Sequence, residues 1–283
     1  MIEHLQPIIG MFQKEVLMHL REERDGLKSR IRDACDSSKD DSDIEVIILG
    51  TGEYTLKKLR MTSSKYLEEI YLNAITRAIS DVASMDVMNP TKVPAYITQD
   101  DRDVGVSGEI DYFMSLVSST FNGRNEQVKK IILSRSKGTT KLIEDIVGVI
   151  NREWIPQMDT DVRISANHAF NAGYYTRVSE YAPFKRWVSA TDHSEMNGKV
   201  VPAKDYFEVL PFMVEGELKQ VPGCKMLYPG DVSESPDRRQ LVNCFCRVEP
   251  VLTGPDQIVV APVERKTRTR KKETDIDESE PAV

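Results

Sequence analysis

Residues 159–202 read DTDVRISANHAFNAGYYTRVSEYAPFKRWVSATDHSEMNGKVVP, and the change of character inside this stretch decides the fold. Up to Tyr181 it reads as one long helix, starting at Asp159 or Thr160 and stopped by Ala182-Pro183, because a residue preceding proline is pushed out of the α region. Beyond Pro183 the pattern turns β-branched and aromatic, broken by Gly, Pro and Asn. Arg186-Trp187-Val188-Ser189-Ala190, Lys199-Val200-Val201, Lys225-Met226-Leu227-Tyr228 and Val242 to Val251 are short-strand signals in a loop-rich unit. Helices first and a small β-rich module after them make an α+β arrangement.

Upstream, helical periodicity dominates. From Gln6 to about Cys35, Ile9, Phe12, Val16, Leu20, Leu27 and Ile31 mark one helix face, while Lys14, Glu15, Arg21, Glu22 and Glu23 wet the other. The polar run 36–43 favours a turn or a cap, and Ile44 to Leu49 is a β-branched run that reads as a strand. A second helix is expected from Thr55 to Met88, ended by Asn89-Pro90, and Thr91 to Gly108 looks like a connector rich in Pro, Asp and Gly. Ile110, Phe113, Met114 and Val117 suggest a third helix and Asn125 to Ser134 a fourth. Another starts at Gly138-Thr139-Thr140 and carries Leu142, Ile143, Ile146, Val147 and Ile150 up to Pro156. The chain is therefore expected to divide into an N-terminal helical region (1–108), a second domain (109–260, helices to 182 and the β module from 183), and a charged tail (261–283). That tail is too poor in apolar residues to order itself.

Composition narrows the classes. With 283 residues and 40% hydrophobic content there is material for one sizeable domain or two smaller ones. A net charge of −7 argues against a general DNA-coating role, since affinity for a polyanion comes from clustered Lys and Arg. Local basic sites remain at Arg265 to Lys272 in the tail, and at Lys129, Lys130, Arg135 and Lys137. The start MIEHLQPIIGMFQKEV lacks the basic, then apolar pattern of a secretory signal. No segment approaches the roughly 20 apolar residues of a membrane span. The expectation is a soluble protein of the cell interior, where Cys35, Cys224, Cys244 and Cys246 serve as thiols or metal ligands rather than as a disulfide framework.

The segments after Pro183 carry an ordered pattern. A tryptophan strand (Lys185-Arg186-Trp187-Val188) leads to a turn, Asp192-His193-Ser194-Glu195-Met196-Asn197-Gly198-Lys199. Leu227-Tyr228-Pro229-Gly230-Asp231 follows, and then Asn243-Cys244-Phe245-Cys246-Arg247-Val248 enters a last strand. This order resembles the phage Mu F-like head morphogenesis (minor capsid) family over roughly Gly138 to Leu252. The preceding helix, with Arg163, Asn167, Asn171 and Gly173, looks like the family's as well. The chain departs from the pattern twice: many members have Cys-x-x-Cys where it has Asp192-His193, and His-Pro where it has Leu241-Val242. The resemblance implies a minor structural protein of a tailed double-stranded DNA phage or prophage. Such a protein would be assembled in the host cytoplasm, lie in the capsid interior of the virion, and touch the portal protein, the major capsid protein or both, with Arg265–Lys272 available for non-specific contact with packaged DNA. Its amphipathic N-terminal helices offer faces that can cover one another or a partner.

Read for their own chemistry, His193, Cys244 and Cys246 supply three of the four N or S ligands of a structural zinc, with Cys224 or Asp192 as a fourth. Cys-x-Cys on a strand places both thiols on one face, which suits burial in a small core equally well. His168, alone in a helix, reads as a capping or packing residue. Trp187, Tyr174, Tyr175 and Phe184 read as core, and Asn197-Gly198 reads as a turn. The enzymatic rival is a zinc deaminase, with its His-x-Glu and Pro-Cys-x-x-Cys signature. His193-Ser194-Glu195 matches the first half, but Asn243-Cys244-Phe245-Cys246 lacks both the proline and the spacing. No nucleophile elbow, phosphate-binding Gly-x-x-x-x-Gly-Lys or His-Glu-x-x-His is present. The sequence therefore reads as a non-enzyme with no catalytic or cofactor-binding residues beyond this zinc question.

Overall fold

The computed structural model describes residues 5–37, 46, 52–85, 96–133, 139–189, 193–213, 220–242 and 244–255. Among the described residues, five helices of more than ten residues precede the strands: α1 (Gln6–Asp36), α2 (Gly52–Met85), α3 (Val106–Leu133), α4 (Thr139–Val149) and α5 (Ile155–Tyr181). Among the described residues no helix is long and apolar enough to cross a membrane.

The six apolar positions read from the sequence of α1 are all buried, and packing rather than capping holds that helix, since its N-cap Leu5 has no side chain to offer the first amides. Phe12 stacks on Tyr66 of α2 at 5.4 Å and tilts against Phe113 of α3 at 5.3 Å. Full burial of each such ring contributes about 1.5–3 kcal/mol.

Helix α5 is the axis of the molecule. It packs against α1, α2 and α3, and against the strands at its other end. From Ile164 to Tyr174 every residue is buried. Ser165, Ala166, Ala169, Ala172 and Gly173 keep the helix thin enough to be surrounded, as a helix enclosed on all sides must be.

Two helix boundaries differ from the sequence reading. The expected connector 91–108 is helical from Gln99: a π turn, Asp101–Gly105, runs directly into α3. The signal for this start is Thr98-Gln99-Asp100-Asp101. The Asp101 amide donates to Thr98 Oγ1 at 3.2 Å and the Thr98 amide donates to Asp101 Oδ2 at 2.7 Å, a reciprocal cap that satisfies two orphan donors. Asp101 is also paired with Arg177 of α5. Burial opposes its charge, but the Thr98 bonds and the Arg177 guanidinium hold the carboxyl below its ordinary value. The boundary expected at 108/109 thus falls inside one helix, which continues through the expected fourth helix to Leu133. Buried residues between Leu5 and Val248 share one large cluster, with a smaller one of Tyr71, Ile75, Val106 and Ala172 beside it.

The second difference is at Pro156, which does not interrupt the chain. A π turn, Ile150–Trp154, joins α4 to α5 and takes up the missing proline N–H and the bulk of the ring. Of the strand expected at 44–49 only Val46 is among the described residues, and it is helical rather than extended; the tail 261–283 lies outside them.

The β module is built from small antiparallel pieces. β1 (Phe184–Val188) lies between β2 (Val200–Pro202) and β7 (Arg247–Val251), with Trp187 opposite Val248 and Lys185 opposite both Val201 and Pro250. Pro250 is tolerated because β7 is an edge strand. Two ribbons complete the module: β3 (Phe207–Val209) with β6 (Cys224–Met226), and β4 (Phe212–Met213) with β5 (Gln220–Val221). Strands form where the sequence signals lie for β1, β2, β6 and β7, although β7 starts only at Arg247 and not at Val242, whereas β3 to β5, of two or three residues each, were not read from the sequence. Trp187 and Tyr174 are buried and Tyr175 and Phe184 are half-buried. Lys185 points with Trp187 to the inner face, where its Nζ sits 4.5 Å over the ring of Tyr175 with no hydrogen-bond partner among the described residues. Burial lowers its ammonium to about 7 against the opposing charges of Asp205 and Asp231.

Candidate metal centre

The connection between β1 and β2 is tied at its base. The Trp187 amide donates to Lys199 O and the Gly198 amide to Trp187 O, each at 2.8 Å, while the Ser189 amide donates to Asn197 Oδ1 at 3.0 Å. Met196 and Lys199 close a turn at 3.0 Å with Gly198 at φ 83° but Asn197 at φ −59°, so the expected Asn-Gly turn is type II, with one left-handed residue. The tie leaves His193 at the start of the 194–196 turn, with its ring edge-on to Trp187 at 5.8 Å and to Phe212 at 6.2 Å.

Cys244 and Cys246 lie just before β7 rather than on a strand, yet both thiols reach the same atom. Cys244 Sγ and Cys246 Sγ are each 3.6 Å from His193 Nδ1, across 51 and 53 residues of sequence. The three ligand atoms lie within 4.8 Å of one another, and all three residues are buried, none more than 3% exposed. A tetrahedron with metal–sulfur bonds of about 2.3 Å and a metal–nitrogen bond of about 2.0–2.1 Å has an S···N edge of about 3.6 Å. The cluster has the spacing of a metal-ligand set.

Gln240, which the sequence reading missed, sets the imidazole. It is fully buried on the turn 238–240, and its Nε2 donates to Pro222 O at 2.8 Å. Its Oε1 therefore faces His193 Nε2, at 2.8 Å, and can only accept. The proton of a neutral His193 is held on Nε2 and the Nδ1 lone pair is turned toward the thiols, the outer-shell arrangement of metal-binding histidines. No short-range signal marks Gln240; only its place in the fold identifies it. The Cys246 thiol is electrostatically prepared as well. Cys246 is held far below the ordinary thiol range, first by the hydrogen bond from Cys244 and then, against desolvation, by His193 and Ser189. Burial disfavours a charged His193, but the Cys246 hydrogen bond and charge outweigh it and raise the imidazole.

Of the two expected fourth ligands, Cys224 is not in the cluster. It sits half-buried on β6 opposite Val209, and burial together with the Asp231 charge pushes its thiol up to about 11, away from the thiolate a metal takes. Asp192 lies outside the described residues, as does Asn243. Glu195, the deaminase-like acid, is exposed on the 194–196 turn.

The remaining pattern residues bind the module to α5. Asn171 donates to Cys246 O at 3.0 Å. Tyr228-Pro229-Gly230-Asp231 forms a turn closed at 3.0 Å, with Gly230 at φ 89° beside Asn167 and His168. Asp231 accepts from the Leu227 amide at 2.7 Å and the Ser233 amide at 2.9 Å, which locks that loop. His168 packs as expected, with its ring on Tyr112 at 4.6 Å and its Nδ1 2.6 Å from Glu109. Arg163 pairs with Asp159 on the helix surface. Of the basic residues, Lys129 lies 3.3 Å from Glu126, and Arg135, Lys137 and Arg265–Lys272 fall outside the described residues. Compared with protein-family models, with curated protein sequences and with solved structures, the chain finds no match.

Proposed function

We propose that this chain is a minor capsid or head morphogenesis protein of a tailed double-stranded DNA phage or prophage, docking at the portal or the inner capsid surface, with a zinc ion stapling its β module. The observation that carries the reading is convergence. The segments that resemble the head morphogenesis family are linked contact by contact: the Cys246 carbonyl accepts from Asn171 of α5 and Gly230 lies beside Asn167, His193 joins both thiols and packs edge-on to Trp187, and the Asn197-Gly198-Lys199 turn ties back to the Trp187 backbone. Each acts there as a turn, a ligand or a packing residue, which is the work of a rigid docking module rather than of an open reaction site. Zinc is the fitting ion because two thiolates and an imidazole are its preferred donors, and because strands of two to five residues gain little stability from their own ladders. The tail Arg265–Lys272 would meet packaged DNA through salt-sensitive, sequence-independent contacts.

The test is co-expression with the portal and major capsid proteins of its own genome, followed by gradient sedimentation, with elemental analysis of the purified chain alongside. Co-sedimentation with assembled heads, and about one zinc per chain, is expected; a chain found only at the top of the gradient overturns the assembly role, and a metal-free chain overturns the staple. The donor set and His193-Ser194-Glu195 also favour one rival. Ammonia released from cytidine or adenosine by the zinc-loaded chain, and lost in Glu195→Gln, would replace this reading with a zinc deaminase.

A further inference from the structure

Near the start of α1, that helix and α5 do not close completely on each other. They leave a partly enclosed cavity of about 250 Å³, and Phe245, the residue between the two thiols of the candidate metal centre, forms part of its wall. Leu5, Ile9, Ala166 and Phe170, none more than 8% exposed, make an apolar floor. Packed interiors rarely leave voids larger than a water molecule, and an apolar cavity of about 150 Å³ already holds a benzene ring. The space between α1 and α5 therefore takes a ring or branched hydrocarbon with a short side chain.

The polar side of the cavity has one sign, since Arg163 is the only charged side chain that lines it. Arg163 Nη2 bonds Asp159, which leaves Nε and Nη1 without an acceptor among the described residues. Asp159 itself stands outside the lining, where Gln13 Nε2 also donates to it at 2.8 Å. Asn167 lies four residues along α5 from Arg163, so the two side chains emerge on one face, about 5–6 Å apart at Cβ. Asn167 is 6% exposed and its Oδ1 accepts from Asn171, yet its Nδ2 donates to nothing among the described residues. Leu5 and Gln6 bring the start of α1 into the wall, with no side-chain cap and no acidic residue in the first turn to offset the partial positive charge there. A carboxylate offers these donors two acceptor oxygens and a single negative charge, whereas the apolar floor disfavours a wholly polar ion such as free phosphate. We infer that this cavity binds a small carboxylate with an apolar body. Arg163 and Asn167 hold the carboxylate, and the hydrocarbon lies on Leu5, Ile9, Phe170 and Phe245.

The test is calorimetric titration of the full-length chain with hydrocinnamate and, as its neutral counterpart, hydrocinnamyl alcohol. Saturable binding of the acid at one site per chain is expected. The alcohol should bind about 10- to 100-fold more weakly, the worth of hydrogen bonds to a charged group. Arg163→Met, a change at an exposed position, should leave the fold intact and remove most of the difference between acid and alcohol. Ala166→Leu should fill the cavity and abolish binding of both; if that variant fails to fold, Arg163→Met decides alone. No saturable binding of the acid at millimolar concentration overturns the proposal, as does binding unchanged in Arg163→Met or in a folded Ala166→Leu. Equal affinity of the wild type for acid and alcohol overturns it too, and would make the cavity a socket for an apolar side chain instead.

Discussion

The helical part and the β module of this chain are held by different physics. In the helices, long repeating apolar faces meet one another. Phe12, Phe113 and Phe170 are almost completely buried, and the shared core extends from Leu5 through α5. The β module has strands of two to five residues, and its buried interior is punctuated by polar groups: His193, Gln240, Asp231, Lys185 and the two thiols. A core of many small apolar contacts loses stability gradually when one is removed. A module organised around a few satisfied polar atoms fails when one of those atoms is left alone.

The widest separation between the two parts is expected on metal removal. Ligation contributes folding free energy directly, by roughly 10 kcal/mol or more in small zinc modules. Chelation, or Cys246→Ser, should abolish the near-ultraviolet signal of Trp187 and leave most far-ultraviolet helix signal in place; loss of both together would show that the two parts do not separate. The complementary break is Phe113→Ala. Emptying the site where Phe12 packs should cost about 3–5 kcal/mol in chemical denaturation while the chain still binds one metal ion; a cost under 1 kcal/mol would mean that this core is not tightly packed.

Lys185→Met tests the opposite sign. The buried ammonium is lowered to about 7 from its ordinary 10.5, so between these values the unfolded chain binds a proton that the folded chain does not. Stability from this group therefore rises with pH across that window and is lost as pH falls toward 7. Replacing the amine by an apolar side chain of similar length should stabilise the protein by about 1–4 kcal/mol at neutral pH, and flatten that pH dependence in thermal melts. A destabilised Lys185→Met would instead show that the contacts over Tyr175 and Phe207 outweigh desolvation.

The smallest effect is expected at Gln240. Gln240→Met removes the acceptor that orients His193 without touching a ligand, and should weaken metal affinity by about 10- to 100-fold in a chelator competition with the fold intact. Unchanged affinity would mean that Trp187 and Phe212 alone hold the ring.

Legibility followed the same division. The buried face of α1 could be read residue by residue because one side faces a core and the other faces water, and that contrast is written at every turn. Helix α5 was read only from Asp159 or Thr160, because Pro156 hides its continuity with α4. The start of α3 was masked by the Pro, Asp and Gly content around it, although Thr98 and Asp101 form its cap. His193, Cys244 and Cys246 could be named from donor chemistry. They could also be grouped as one ligand set, but the exclusion of Cys224 from it could not be read.

By itself the sequence determined what is local: the amphipathic helices, the change to strands at Pro183, the turn residues, and a stock of thiols and one imidazole beside them. Tertiary structure alone decided that α5 is enclosed on all sides, that Lys185 is buried beneath aromatic rings, and that Gln240 holds the proton of a neutral His193 on Nε2. It also decided that thiols 51 and 53 residues from His193 converge on Nδ1. Periodicity and capping depend on neighbours a few residues away along the chain. The candidate metal centre depends instead on how the β1–β2 connection and the segment before β7 are pinned against α5, and such long-range packing leaves no repeating mark in the sequence.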